Sequence, residues 1–150
     1  MEIFWRIAPW LGRLILLFVA LLFSILAWPA LVDPVQVATA HGVSIGSAEA
    51  LSRVRIGFGA LPLASALIAF LCLVWPRRVL TGLYFVLIWV GVITVVRIIG
   101  VTINGPNDFD LLVLRPEIII LALTILSIYI ERGKQRRERK DSRIGIESLT

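Results

Sequence analysis

The stretch that decides the fold is VLTGLYFVLIWVGVITVVRIIGVTI, Val79 to Ile103, in which the only charged residue is Arg97. A helix needs roughly 17–25 mostly apolar residues to cross a bilayer, and this run supplies them. Three further runs read the same way. Leu14 to Val32 is broken only by Ser24 and Pro29, and Ile56 to Trp75 carries no charge. Ile118 to Ile130 is shorter and reaches spanning length only with Leu111 to Glu117 added. The expected fold is therefore all-α: a polytopic membrane protein built as a bundle of four transmembrane helices.

Composition agrees. The chain of 150 residues is 59% hydrophobic and 17% charged, whereas soluble domains run near half apolar and about a quarter charged. A transmembrane domain is expected over residues 1–131, with spans at about 12–32, 55–75, 79–103 and 112–131. Residues 132–150 read as a basic, disordered cytoplasmic tail, which leaves no length for a second, soluble domain. Cys72, the single cysteine, lies midway along the second span. It can form no intrachain disulfide and reads as a small apolar filler between helices.

Charge sets the expected topology. The tail ERGKQRRERKDSR, the Arg77-Arg78 link between spans two and three, and Arg6 and Arg13 together hold eleven of the fifteen basic residues. An even number of spans puts all of these on one side. Basic residues next to membrane ends mark the cytoplasmic face, so both termini are expected inside a cell inner membrane. The first span is expected to be retained rather than cleaved, because its apolar run exceeds the ~7–15 residues of a signal sequence. The tail reads as an anchor against anionic headgroups. Glu131, Glu138 and Asp141 dilute its charge and no aromatic residues interleave to stack on bases, so nucleic acid is not expected as a partner. Trp5, Trp10, Trp28 and Trp75 fall near interfaces, where belt anchoring accounts for them.

The longest loop is Asp33 to Arg53. Asp33-Pro34 and His41-Gly42 read as turns, and Ser47 as the N-cap of a helix that runs into span two. Ala60 with Ala64, and Ser65 with Ala69, have the spacing that lets membrane helices approach closely. Span four has two readings. A helix can begin at Pro116, a favoured first-turn position, or near Asp108 with Pro116 inside it; the first is preferred.

The chemistry rests on three charges. With the N-terminus inside, span three runs outward, and Arg97 lies six residues, roughly 9 Å, below its outer end. Arg55 begins span two and Glu117 begins span four at the same level. Side chains lean toward the helix N-terminus, which for Arg97 is away from outer water. Its neighbours at spacings of three, Gly91, Thr94 and Gly100, are small or polar, which suits a face turned to other helices. Arginine cannot readily shed its proton, so a carboxylate partner is expected. Glu117 is the only acid at that depth in this reading, and an Arg97–Glu117 pair with Arg55 nearby follows. Two arginines to one glutamate make a net positive site, a candidate for a small polar, anionic or lipid ligand. In the alternative the ion pair only fixes helix packing in a structural or accessory subunit of a membrane complex, or in a homo-oligomer. A binding site predicts an open cavity at the three charges, and a packing role predicts a closed ion pair.

Enzyme signatures are absent from the sequence: no HExxH, nucleophile elbow, phosphate-binding glycine loop or paired metal ligands. No cofactor or metal is expected, and no catalytic residue is assigned. His41 stands alone in its loop, and Asp108 and Asp110 beside Asn104 and Asn107 read as a polar turn rather than a calcium site.

The order Arg55-Ile-Gly-Phe-Gly59-Ala60, then Arg97, then Asn104-Gly105-Pro106, then Pro116-Glu117 resembles the DUF4345 family of small bacterial four-helix membrane proteins over roughly residues 48–130. Ala60 stands where that family tends to have a second glycine, Val96 where it has a glycine before the arginine, and Asn104-Gly105-Pro106 where it has a longer acidic turn. The resemblance implies a bacterial inner-membrane four-helix bundle with no assigned activity.

Overall fold

The computed structural model describes residues 2–105 and 108–147, and the side chains of 10–105, 108 and 110–136. Pro106, Asn107, and the side chains of Trp5, Arg6 and the tail beyond Arg136 lie outside the described residues. Most of the described residues are helical, with no strand among them. The elements are α1 (Glu2–Val32), α2 (Pro34–Ala40), α3 (Ala48–Val54), a π-helical segment (Arg55–Ala60), α4 (Leu61–Val74), α5 (Val79–Asn104) and α6 (Asp108–Glu147), with a 3₁₀ turn, Pro76–Arg78, before α5. Four helical stretches are long and apolar enough to cross a membrane: Trp10–Val32, Ala48–Val74, Pro76–Asn104 and Asp110–Arg136. Many of their large apolar side chains face outward, among them Ile88, Val92, Ile103 and Tyr129, as expected of helices apolar on every side. The chain divides into two compact units, residues 16–76 and residues 1–15 with 77–150.

Within residues 16–76, caps set the helix boundaries. Asp33 is not a simple turn residue: its carboxylate accepts the Gln36 amide at 3.1 Å, with Pro34 in the first turn of α2. Pro fits there because the N–H it lacks would have no helical partner. Ser47 accepts the Ala50 amide at 3.2 Å and opens α3, and Gly42 turns the chain between them at φ +68°. From Ala48 to Val74 the chain stays helical, passing through one wide π turn. Ser65, Ala66, Ala69 and Cys72 form the buried stripe of α4. Ser65 and Ala69 are thus buried as their spacing suggests, whereas Ala60 and Ala64 are exposed.

Two glycines of the π turn have opposite surroundings. A Cβ on Gly59 would lie 2.8 Å from Leu31 Cδ2, while one on Gly57 would meet nothing within 4 Å. Gly59 therefore lets α1 and the π turn approach closely, and Gly57 does not. Gly59→Ala is expected to cost about 1 kcal/mol, since Leu31 must rotate away. Gly57→Ala is expected to leave stability unchanged or raise it, because alanine is the better helix former. Thermal unfolding of the two variants in the same detergent checks this contrast.

In the other unit, α5 and α6 form the main tertiary pairing. Leu83, Val86, Val90 and Thr94, spaced by three and four, are the buried stripe of α5, opposite Thr124, Ser127 and Ile128 of α6. Gly12 of α1 belongs here too, where a Cβ would lie 3.1 Å from Leu83. Buried hydroxyls bond their own helix: Thr94 donates to Val90 O at 2.9 Å, Thr124 to Ile120 O at 2.7 Å and Ser127 to Leu123 O at 2.8 Å. This back-bonding satisfies polar groups where no water competes. At the start of α5 the Arg132 guanidinium lies 5.2 Å from the centre of the Tyr84 ring, a cation–π contact.

Two expectations change in α6. The helix begins at Asp108 and contains Pro116, so the reading with Pro116 inside the helix holds, not the preferred start at Pro116. Asp108 and Asp110 lie in its first turn, where the helix dipole favours negative charge, and Gly105, at φ +85°, ends α5 just before. These signals outweigh the one backbone hydrogen bond that proline removes. The helix also continues to Glu147 through the stretch expected to be a disordered tail. At the start of that stretch Glu131 and Lys134 lie 4.0 Å apart, and pairs at this spacing support a helix.

Candidate functional site

Arg97 is joined to two carboxylates, both from α6. Its Nη1 donates to Asp110 Oδ1 at 2.7 Å, and its Nη2 lies 3.1 Å from Glu117 Oε1. Nε is shared between the two oxygens of Glu117, at 3.2 and 3.3 Å. The Thr94 hydroxyl, one turn earlier on α5, lies 3.3 Å from Glu117 Oε2 and shares its single proton between that oxygen and Val90 O. Both carboxylate oxygens of Glu117 are therefore engaged, and all three guanidinium nitrogens of Arg97 take part. The side chains of Arg97, Asp110 and Glu117 keep 19%, 24% and 12% of their exposure. Asp110 is thus the outermost member of the cluster.

The helices explain the geometry. Asp110 and Glu117 are seven residues apart, two turns of α6 at 3.6 residues per turn, so they share one face. Thr94 and Arg97 are three apart on α5, the spacing of neighbours on a helix surface. The helices pair antiparallel: Gly91 approaches Leu121, Thr94 meets Glu117 and Arg97 reaches Glu117 and Asp110. A Cβ on Gly91 would lie 4.0 Å from Leu121 Cδ2, an ordinary contact. Gly100, placed on the same face by its spacing, has nothing near it.

Of the three expected site residues, Arg97 and Glu117 meet directly. Arg55 belongs to the other unit, at the start of the π turn, where it is exposed and has no hydrogen bond or ion pair among the described residues. Asp110 takes the third place, although the sequence reading had left it in a polar turn. This reverses the sign of the cluster: one arginine and two carboxylates sum to −1 rather than +1. Each N–H facing the carboxylates is committed to them, so an incoming anion would have to displace one. Cavities of about 620 and 400 Å³ elsewhere are lined by other residues.

His41 is not an isolated loop histidine. Its ring packs on Phe58 with centroids 4.9 Å apart, and Nδ1 lies 2.7 Å from Val37 O. A carbonyl only accepts, so Nδ1 carries a proton. Among the described residues, no three His, Cys, Asp or Glu side chains are grouped to hold a metal ion. Comparison with known proteins finds no match: not to a family model, a curated protein or a solved structure.

Proposed function

We propose that the chain is a multi-pass membrane protein with a non-catalytic, structural role. In this reading Arg97, Asp110 and Glu117 clamp α5 to α6 as part of an accessory or assembly subunit. The observation that carries it is the closure of the cluster: the Arg97 guanidinium is held bidentately by Glu117 and again by Asp110. A charge within a span costs about 2.5–3.5 kcal/mol on insertion scales. Two carboxylates within hydrogen-bonding distance offset that cost only while α5 and α6 stay together. The charge distribution along the chain supports termini on the cytoplasmic side. The motif order shared with DUF4345 proteins supports a bacterial inner membrane and membership of that group.

The ligand-binding alternative makes a separable prediction, since an anion site needs donors that a closed clamp does not offer. Native mass spectrometry of the full chain with inorganic phosphate tests it. The clamp predicts no phosphate adduct that depends on Arg97. An adduct lost on Arg97→Met but kept in a correctly folded Asp110→Asn variant would overturn the structural reading in favour of anion binding.

A further inference from the structure

A cavity of about 620 Å³ lies elsewhere, wholly within residues 16–76. Its floor is Ile25, Leu26 and Pro29, in the last two turns of the first apolar stretch. One wall is Gly57 and Phe58 of the π turn, with Pro62 at the start of α4. Gln36 of α2 and His41, just after it, stand at the rim, four and nine residues past the end of that stretch. One end of the cavity is therefore apolar, and the other carries a carboxamide and an imidazole.

Those two polar groups have capacity to bind. The Gln36 carboxamide has no hydrogen-bond partner among the described residues, nor has His41 Nε2, since Val37 O engages only Nδ1. The Phe58 ring holds the imidazole in place. Gly57 and Phe58 of that wall belong to the π turn, a feature frequent at functional sites. The turn directs Gly59 against Leu31 and leaves the position of Gly57 open.

The volume falls in the ~300–1,000 Å³ range of small-molecule sites. It suits a chain molecule better than a partner helix. A helix is ~10–12 Å wide and rises ~5.4 Å per turn, so about 620 Å³ admits only about one turn. On the membrane-spanning reading, on which this inference rests, the floor lies in hydrocarbon and the rim at the headgroup level. We propose that the cavity binds one bilayer phospholipid. An acyl chain lies along Ile25, Leu26 and Pro29, and its ester and phosphate oxygens meet Gln36 and His41.

Gly57 provides the test, because a larger side chain there enters the cavity without meeting other atoms within 4 Å of its Cβ. The full chain is reconstituted in phosphatidylcholine–phosphatidylglycerol vesicles containing a phospholipid with a diazirine on its acyl chain. After illumination, labelled positions are mapped by peptide mass spectrometry. The expected result is labelling concentrated at 25–29 and 57–62, and reduced there about tenfold by Gly57→Trp, equivalent to about 1.4 kcal/mol of binding. Labelling of the outer face of α5 should not change. Leu26→Trp, which fills the cavity from the opposite side, should act in the same way and serves if Gly57→Trp does not fold. Gln36→Ala combined with His41→Ala should reduce labelling while leaving the floor intact. Uniform labelling of all apolar faces, unchanged by either tryptophan, would overturn the proposal, as would crosslinks from 57–62 to a second copy. Alkaline carbonate washing separates the two levels of the argument. Release of the chain would refute the membrane reading itself, whereas retention with uniform labelling would refute only the lipid site.

Discussion

Replacing Arg97 with methionine is expected to lower the stability of the folded protein by about 3–5 kcal/mol, the range for breaking a buried ion pair from one side. Methionine keeps an unbranched apolar stem and removes the charged guanidinium. Glu117, whose residue is only 9% exposed, would then face Asp110 with no cation between them. Thr94 would remain as a neutral donor to Glu117, too little to satisfy a carboxylate that had taken three nitrogen contacts. The deficit lies between α5 and α6, the main tertiary pairing, so the loss should appear as a lower thermal transition in mild detergent. It should also appear as faster proteolysis near Gly105, where the two helices are joined. Asp110→Asn is the informative comparison. Asp110 is the most exposed of the three and leaves Glu117 to balance Arg97, so its replacement should cost far less than that of Arg97.

The second large effect is expected from Glu117→Gln, about 1–3 kcal/mol, the penalty of a weakened buried hydrogen-bond partner. Glutamine has the same shape, and its carbonyl can still accept from Arg97. Its amide can only donate where Glu117 Oε2 now accepts from both Thr94 and Arg97. Asp110 keeps the guanidinium partly neutralised, so the loss should be smaller than for Arg97→Met. The expected order in thermal unfolding is Arg97→Met, then Glu117→Gln, then Asp110→Asn. A cluster in which all three variants behaved alike would not be organised around Arg97.

The parts of the structure that were legible in the sequence are those with a simple physical signal. Four apolar runs long enough to cross a bilayer became four helical stretches of that character. Arg97 could be matched with Glu117 because a charge in an apolar helix needs a partner, and helix direction limits where that partner lies. Asp110 was missed because Pro116 resembles a first-turn proline, and starting the helix there takes Asp110 off it. The signal that finds it is the seven-residue interval to Glu117, which puts both acids on one face once the helix begins at Asp108. The π turn had no signal of this kind, since Arg55-Ile-Gly-Phe-Gly-Ala fits α-helix and π-helix equally well. What the two glycines do depends on Leu31, more than twenty residues away in sequence.

The most direct test of the clamp is a double-mutant cycle on Arg97 and Glu117, with unfolding of the wild type, Arg97→Met, Glu117→Gln and the combined variant measured in one detergent. If the two residues stabilise the fold through each other, the combined variant loses less than the sum of the single losses, with a coupling of about 1–3 kcal/mol. It should also be at least as stable as Arg97→Met alone, because the second change removes the carboxylate that the first left unpaired. Additive losses, agreeing within about 0.5 kcal/mol, would show that Arg97 and Glu117 act independently and would contradict the account.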